Sequence, residues 1–354
     1  MNTQTLYKNL RQYYGKELQS SADLKTSACC DSSTVPEHLK PYLSNLEDEV
    51  QTRFYGCGSP LPEGLSGCTM LDLGCGSGRD AFVASQLVGP HGFVYGVDMT
   101  AEQLEVARRN VDPHMKRFGY EKPNVSFLES EMEALQQVGI ADESIDVAIS
   151  NCVLNLAANK EQVFHSIWQA LKPGGELYFS DVFASRRLPK QLMEDPVLHG
   201  ECLAGALYTE DFRRLLLNLD VPDYRVVTSR PIEVKDTGIR QKLGEVQFYS
   251  MTVRCFKLNN MEDRCEDYGQ IATYLGGLQE CPNAFQLDDH HLFEKDRPQL
   301  VCGNTASMLQ ETRLNKYFEI QGNREKHFGL FGCATNEASS SSDDRPPSGF
   351  NKCC

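Results

Sequence analysis

The feature that most constrains the fold is "LDLGCGSGRD", residues 71–80, in which three glycines stand between two apolar patterns. The preceding run "TMLDL" is typical of a buried strand, and "RDAFVASQLV" has the pattern of a helix. Gly74, Gly76 and Gly78 permit a tight turn and let a ligand approach the backbone closely. A strand, a glycine loop and a helix in this order predict a site for a nucleoside-containing ligand.

Strand and helix patterns alternate through residues 67–185. Four more strand-like segments follow the glycine loop, "GFVYGVDM", "NVSFLES", "SIDVAIS" and "ELYFSDVF", with helical patterns in "TAEQLEVARRNVDPHM" and "NKEQVFHSIWQALK". Thr100 and Gln103 have the spacing of a capping box at the start of the first of these helices. The alternation predicts an α/β fold with a parallel, Rossmann-like sheet covered on both faces.

The rest of the chain divides into four parts by pattern. Residues 1–66 are helical and loop-like, and residues 186–255 combine the mostly helical "VLHGECLAGALYTEDFRRLLLNLD" with a strand in "EVQFYSMTVRCFKL". We expect a small mixed α/β domain at 256–333. Residues 334–354 are rich in Ser and Pro, so we expect a disordered tail, which ends in two cysteines.

The overall charge excludes two classes of partner. The 354 residues include 35 Lys and Arg against 49 Asp and Glu, a net charge of -14, which argues against nucleic acid and anionic membranes. No run approaches the roughly 20 apolar residues of a membrane helix, and the N-terminus lacks the apolar core of a signal peptide. We expect a cytoplasmic protein and a monomer.

Two carboxylates indicate which nucleoside the loop binds. Asp98 ends the second strand, 24 residues after Gly74, in the place of an acid that binds both hydroxyls of a ribose. Asp72 precedes the glycines, where it would repel a pyrophosphate but suits the ammonium group of a methionine. The pair favours S-adenosylmethionine (SAM) over NAD, and "LKPGGELYFSD" resembles class I SAM-dependent methyltransferases.

The 14 cysteines form no C-x2-C pairs, so a structural zinc site is not expected. Cys152 differs from the others by its position, because "SNC" ends the fourth strand and ligands bind beyond the carboxyl ends of such strands. Asn151 and Cys152 should lie beside the reactive methyl of the cofactor, where a thiolate can bind a thiophilic substrate. Six others are interpreted as small buried apolar residues: Cys68, Cys75, Cys255, Cys265, Cys281 and Cys302.

Seven stretches carry a narrower resemblance: "SADLKTSACC", "RFYGCGSPLPEGL", "LDLGCGSGRDAF", "GVDMT", "SNCVLNL", "LKPGGELYFSDV" and "GECLAGALY". With them the chain resembles the arsenite (As(III)) S-adenosylmethionine methyltransferase family over about residues 10–210, and more weakly through about 320. The resemblance implies a SAM-binding domain at 67–185 and an arsenic-binding region at 186–255. It also implies arsenite as substrate and methylated trivalent arsenicals as products.

The resemblance assigns catalytic roles to four cysteines, Cys29, Cys57, Cys152 and Cys202. Three of them, Cys57, Cys152 and Cys202, would ligate As(III). Cys29 would form a disulfide with Cys57 during turnover, although Cys30 adjoins it and either could serve; thioredoxin or glutathione would reduce that disulfide. The last two residues, Cys353 and Cys354, resemble the vicinal cysteines of family tails and are candidates to capture arsenic.

The expected cofactor contacts come from the glycine loop and from the resemblance, which also implies that Met132 and Glu133 flank the adenine. The full set is Tyr55, Asp72, Gly74, Cys75, Gly76, Asp98, Met99, Met132, Glu133 and Asn151.

The expected chemistry needs no general base. As(III) bound by three thiolates keeps a lone pair that can displace a sulfonium methyl without loss of a proton, so catalysis would be mainly positioning. One alternative is a class I methyltransferase that acts on a quinone or on an O or N nucleophile; it would not explain the cysteine motifs. Another is a thiol-rich sequestration protein, which would need neither Asp72 nor Asp98.

Overall fold

The computed structural model describes residues 3–17, 35–56, 58–193, 198, 203–234 and 237–332. Within those ranges, no helix has the length and apolarity needed to span a membrane. Several predictions lie outside the described residues: those for Cys29, Cys30, Cys57, Cys202, Cys353, Cys354 and the tail at 334–354.

A sheet of eight strands forms the centre of the fold. The strands are β1 Thr69–Leu73, β2 Phe93–Asp98, β3 Val125–Glu129, β4 Ile145–Asn151, β5 Leu171–Ala184, β6 Leu207–Tyr208, β7 Arg225–Ile232 and β8 Phe248–Phe256. They lie in the order β3-β2-β1-β4-β5-β8-β7, with β6 beside β5. The first five strands are parallel, and β8 is antiparallel to β5 and β7. The predicted α/β class is confirmed.

This sheet crosses one of the predicted divisions of the chain. Strand β8 comes from the range 186–255, yet it pairs with β5 from Glu176 opposite Phe256 to Ala184 opposite Phe248. The ranges 67–185 and 186–255 therefore share one sheet, so a boundary at 185 would separate functions rather than folding units. The five-part division stays a prediction.

Helices cover both faces of the sheet. On β1, Leu71 and Leu73 pack in one core with Phe164 and Phe212, whereas Met70 packs with Phe82 and Leu104 on the opposite face. The helices are α1 Thr3–Gln12, α2 Lys40–Ser44, α3 Asp48–Thr52, α4 Arg79–Val88, α5 Ala101–Arg109, α6 Val111–Phe118, α7 Lys160–Ala170, α8 Lys190–Met193, α9 Thr209–Leu217, α10 Thr237–Leu243 and α11 Gly303–Gln310. A π-helical turn at Tyr13–Glu17 and 3-10 turns at Glu37–Leu39, Met132–Val138, Leu154–Leu156 and Arg313–Tyr317 complete the set.

The helix predicted from "TAEQLEVARRNVDPHM" is in fact two helices, α5 and α6, which meet at Asn110. Pro113 explains the break, because it has no N–H to bond the preceding turn, whereas the first turn of a new helix needs none. The predicted capping box is also wrong. The Thr100 side chain caps nothing, and the Gln103 amide donates instead to the carbonyl of Tyr14, 2.8 Å away.

Two other local predictions differ from the structure. The sequence predicts that "PGG" precedes the fifth strand, but these residues lie within β5. The pairing of β5 with β4 is irregular there, because its register shifts between Ile145 and Val147 of β4. Gly174 has a φ of 77° there. Residues 203–208 were expected to be helical and instead form a turn and the two-residue strand β6.

The C-terminal strands form a separate group, built around a core that includes Tyr274, Phe285 and Phe318. They are β9 Glu266–Asp267, β10 Gln270–Tyr274, β11 Ala284–Gln286, β12 Leu292–Glu294, β13 Gln299–Val301, β14 Phe318–Gln321 and β15 Gly329–Leu330. Three of them make an antiparallel sheet in the order β13-β10-β14, and β11–β12 and β15–β9 are two-stranded pairs. Helix α11 contributes to the same core.

A buried charge network joins this group to the main sheet. Arg254 of β8 donates from Nε to Glu176 of β5 at 2.6 Å and from Nη1 to the carbonyl of Leu287 at 2.8 Å. Arg313 donates to the second oxygen of Glu176 and to the carbonyl of Glu63. Both Glu176 and Arg254 are fully buried, and such charges are tolerated only when they are paired and hydrogen-bonded. The network therefore ties five segments together.

We expect Glu176→Gln to lower the free energy of unfolding by about 3–5 kcal/mol, because it removes the charge paired with the fully buried guanidinium of Arg254 and the largely buried one of Arg313. The matched control is Glu143→Gln, whose carboxylate pairs with Lys257 while 59% exposed and should contribute about 0–1 kcal/mol. Urea unfolding followed by circular dichroism measures both. Equal small effects of the two substitutions would show that the buried network does not hold the fold.

Candidate active site

The three glycines of the loop after β1 all have positive φ, 69° at Gly74, 52° at Gly76 and 89° at Gly78, where other residues would be strained. A Cβ on Gly74 would lie 2.4 Å from Cγ1 of Val153, so this glycine lets the loop pack against the turn after β4. A Cβ on Gly76 would meet nothing within 4 Å. Open space therefore lies beside the loop where a ligand can approach.

That space belongs to a cavity of about 980 Å³, including its solvent-filled mouth, at the upper end of the size range of small-molecule sites. All ten predicted cofactor residues line it, and Cys152 lines it as well. The structure thus brings together Tyr55, Asp72, Gly74, Cys75, Gly76, Asp98, Met99, Met132, Glu133 and Asn151.

The electrostatics of the cavity favour a ligand with hydroxyl and ammonium donors. Asp98 accepts hydrogen bonds from the N–H groups of Gly76 at 2.9 Å and Thr100 at 2.8 Å, and burial raises its pKa. Burial and the neighbouring Asp80 and Asp98 raise the pKa of Asp72 well above its usual range. Among the described residues, Oδ2 of Asp72 has no hydrogen-bond partner. These acids disfavour a phosphate and suit SAM.

Tyr7, Tyr14 and Gln103 also line the cavity, although no sequence pattern predicts it. No local signal marked them, since Tyr7 lies on the apolar face of an amphipathic helix and Gln103 stood in a capping pattern. Within the described residues, Oε1 of Gln103 and Oε2 of Glu133 are buried without a partner. With Oδ2 of Asp72 they leave three acceptors for the donors of a ligand, so the residues present fit SAM.

Cys152 lies in a sharp turn at the end of β4. Its φ of 58° is left-handed, which is uncommon for a residue with a Cβ, and its N–H donates to the carbonyl of Ser180 at 2.8 Å. The chain then enters the 3-10 turn Leu154–Leu156. Such backbone strain persists only where surrounding contacts hold it, and it is concentrated at functional sites.

Asp181 of β5 holds this turn. Its carboxylate accepts hydrogen bonds from the N–H of Asn155 at 3.1 Å, from the side-chain amide of Asn155 at 2.7 Å and from the N–H of Val182 at 2.8 Å. Burial raises the pKa of Asp181 to about 6. Asp181 therefore fixes the position of the segment that carries Cys152.

Cys152 and Cys265 are each disulfide-bonded in this structure. A thiolate at Cys152 therefore forms only after reduction. The interpretation of Cys265 as an unpaired apolar residue is wrong. The other described cysteines are free, namely Cys68, Cys75, Cys255, Cys281 and Cys302.

Asn151 links the turn to the segment that adjoins Cys57. Its Oδ1 accepts from the N–H of Gly58 at 3.2 Å, and its Nδ2 donates to the carbonyl of Gly58 at 3.1 Å and to Asp80 at 2.8 Å. Side chains at Gly56 and Gly58 would collide with neighbours, since a Cβ would lie 2.4 Å from Nδ2 of Asn151 at Gly56 and 2.5 Å from Oγ of Ser180 at Gly58. Asn151 lines the cavity, but its amide is engaged with this loop.

The segment that adjoins Cys202 also contacts the turn. A Cβ on Gly205 would lie 2.0 Å from the carbonyl oxygen of Asn155, so only glycine permits this approach. Leu203 and Ala204 are buried in the same apolar cluster as Cys152 and Leu156. Within the described ranges, no group of three or more His, Cys, Asp or Glu side chains could hold a metal ion.

Two family models match the chain. A methyltransferase domain matches residues 65–219, and an arsenite methyltransferase C-terminal domain matches residues 268–345.

Individual relatives match along nearly the whole length. An arsenite methyltransferase of Aquipseudomonas alcaligenes is 51% identical over 93% of this chain and 94% of the relative, and the one of Homo sapiens is 39% identical over 94% and 88%. The crystal structure of an arsenic (III) S-adenosylmethionine methyltransferase from Chlamydomonas reinhardtii has a TM-score of 0.82 and 46% identity, and the match covers 84% of this chain and 99% of that one. The chain belongs to the arsenite methyltransferase family.

Proposed function

We propose that this protein transfers the methyl group of SAM to As(III) bound by the thiolates of Cys57, Cys152 and Cys202. Family membership supports the reaction, since the relatives named arsenite methyltransferases match most of the chain. The glycine loop, the acids and the unpaired acceptors of the cavity support SAM as the cofactor. An acceptor of the quinone, O or N class is not favoured by these relatives.

The observation that carries the ligand set is the convergence of two segments on the turn that holds Cys152. Gly58, next to Cys57, hydrogen-bonds Asn151 on one side of that turn. Gly205, three residues after Cys202, packs on Asn155 at the other side. Since Cys152 itself lines the cofactor cavity, a metalloid held here would lie beside the cofactor.

In this proposal the side chains hold the two reactants in position, and none of them transfers a proton. Thiolates are soft ligands suited to a thiophilic ion. When bound, SAM supplies a methyl group on a positively charged sulfur, which the lone pair of As(III) can attack. Asp98 and Asp72 would hold the ribose and ammonium of the cofactor, and the buried turn at Cys152 limits water at the acceptor.

A thiol reductant is part of the proposal. Transfer of a methyl cation oxidises As(III) to As(V), and two cysteine thiols can return two electrons by forming a disulfide, for which Cys29 and Cys57 are proposed. Glutathione or thioredoxin would then reduce that disulfide by thiol exchange. The disulfide at Cys152 supports this requirement, because Cys152 can bind arsenic only once it is reduced.

The location and assembly of the protein are also proposals. We propose a cytoplasmic monomer, and the net charge of -14 supports the further proposal that neither nucleic acid nor an anionic membrane is a partner. Methylated trivalent arsenicals would be its products, and Cys353 and Cys354 would capture arsenic for the site.

We expect Cys152→Ser to abolish arsenite-dependent methyl transfer from labelled SAM in the presence of glutathione, because serine cannot supply the soft ligand. Cys68→Ser is the control, since Cys68 is buried and free and immediately precedes β1, at the end of that strand opposite the glycine loop. It should retain turnover. Full methylation of arsenite by Cys152→Ser would remove Cys152 from the ligand set.

Asp98→Ala should abolish methyl transfer but leave arsenite binding intact, because Asp98 contacts the glycine loop and the cofactor cavity rather than the cysteines. Isothermal titration with arsenite and with SAM separates the two effects. Loss of arsenite binding in this variant would show that the two sites are not separable as proposed.

The affinity for SAM should rise with pH as the carboxyl of Asp72 loses its proton. In the free protein the pKa of Asp72 is raised, so at low pH its carboxyl is neutral and cannot pair with the ammonium of SAM. Asp72→Asn should weaken binding at pH values above the Asp72 transition and flatten the pH dependence of Kd, while exposed Asp142→Asn should leave both unchanged. An identical pH dependence in wild type and Asp72→Asn would refute the pairing.

A further inference from the structure

The N-terminal helix α1 and the π-helical turn at Tyr13–Glu17 contact the cofactor cavity through several polar bonds. Arg11 donates from Nε to the carbonyl of Met99 at 3.1 Å and from Nη2 to Glu131 at 2.9 Å. Both Met99 and Glu131 line the cavity. Tyr7 and Leu10 are buried in the apolar cluster that includes Cys152 and Leu156. The segment 3–17 is therefore packed into the wall of the site.

Two cavity side chains are oriented by this segment. The hydroxyl of Tyr7 donates to Oε1 of Glu133, and the direction of that bond is set because the N–H of Ala158 donates to the same hydroxyl oxygen at 3.1 Å. The amide of Gln103 donates from Nε2 to the carbonyl of Tyr14 at 2.8 Å. In Glu133 and in Gln103, one polar atom of the side chain is held by this bond, and the other is an oxygen that can accept a hydrogen bond.

The two acceptor ends have no partner among the described residues. Oε2 of Glu133 and Oε1 of Gln103 are both buried, and both residues line the cavity. A buried acceptor without a partner is costly unless a ligand satisfies it. Gln103 lies in the first turn of α5, directly after Asp98 and Thr100, so its acceptor belongs to the part of the cavity expected to hold the ribose.

We propose that residues 3–17 complete the cofactor site, with Tyr7 and the carbonyl of Tyr14 positioning Glu133 and Gln103 to accept hydrogen bonds from the nucleoside end of SAM. The donors there are the ribose hydroxyls and the amino group of adenine. Tyr7 acts through Glu133 and is a positioning residue, whereas Gln103 contacts the cofactor itself. The inference rests on the proposed SAM site, but not on arsenic as the acceptor.

The test measures binding of S-adenosylhomocysteine by titration calorimetry without arsenic present. Tyr7→Phe keeps the ring and removes the hydroxyl, and Gln103→Met keeps the length and removes the acceptor. Each should weaken binding by about tenfold, as expected for a lost hydrogen bond in a buried site. In turnover assays each should raise the KM for SAM and leave the KM for arsenite unchanged.

Tyr268→Phe is the matched control, because its hydroxyl donates to Glu262 at 2.6 Å and neither residue lines the cavity. It should bind S-adenosylhomocysteine as wild type does. The affinity of adenosine, measured by competition, should fall in Tyr7→Phe and Gln103→Met by the same factor as that of S-adenosylhomocysteine. Equal factors would place the lost contacts at the nucleoside.

Three results would overturn the inference: binding within twofold of wild type in both variants, an equal loss in Tyr268→Phe, or unchanged adenosine affinity. Thermal unfolding of each variant in the absence of ligand should match wild type, and Gln103→Leu replaces Gln103→Met if the latter unfolds early. Failure of wild type to methylate arsenite, with these binding effects intact, would refute the proposed function and leave this inference standing.

Discussion

The N–H of Cys152 donates to the carbonyl of Ser180 across the ends of β4 and β5, and this bond fixes where the chain leaves the sheet. The left-handed conformation of Cys152 would be unfavourable in isolation. Asp181 compensates, because its buried carboxylate binds both the backbone and the side chain of Asn155, three residues later. The position of the cysteine is thus set by backbone hydrogen bonds from a neighbouring strand rather than by the conformational preference of its own residue.

The cofactor loop and the turn at Cys152 share one wall. Val153 packs where a Cβ on Gly74 would lie, so the glycine loop and the turn are in direct contact. Asn151, on the other side of the cysteine, binds the backbone of Gly58 and the carboxylate of Asp80. Close packing of this kind lets a protein hold two reactants in a fixed relation, which is the main catalytic contribution available to a reaction that moves no proton.

Much of this arrangement was predictable from the sequence. Glycine loops and acids at strand ends depend on local backbone geometry, so "LDLGCGSGRD" and Asp98 located the cavity and "SNC" placed Cys152 on its wall. The helix break at Asn110 also has a local cause in the sequence, Pro113. The periodicity of the apolar residues nevertheless predicted one continuous helix. The expected capping box failed because the N–H of Thr100, from which the side-chain oxygen of Gln103 would have to accept, donates instead to Asp98 at 2.8 Å. The Gln103 amide donates to the distant carbonyl of Tyr14.

The contacts that the sequence could not reveal are long-range. The bond between Tyr7 and Glu133 joins residues 126 positions apart, and that between Arg313 and Glu63 joins residues 250 apart. No local pattern distinguishes a tyrosine that packs in a core from one whose hydroxyl orients a carboxylate. The continuation of the sheet into β8 and β7 was missed for the same reason, because strand pairing depends on the tertiary fold.

The central claim is that three cysteine sulfurs hold arsenic beside the cofactor. X-ray absorption at the arsenic edge tests it most directly, on reduced protein loaded with one equivalent of arsenite. The account predicts a first coordination shell of three sulfur atoms in the wild type and of two sulfur atoms in Cys152→Ser. A shell of oxygen atoms in the wild type, or three sulfurs that persist in Cys152→Ser, would contradict it.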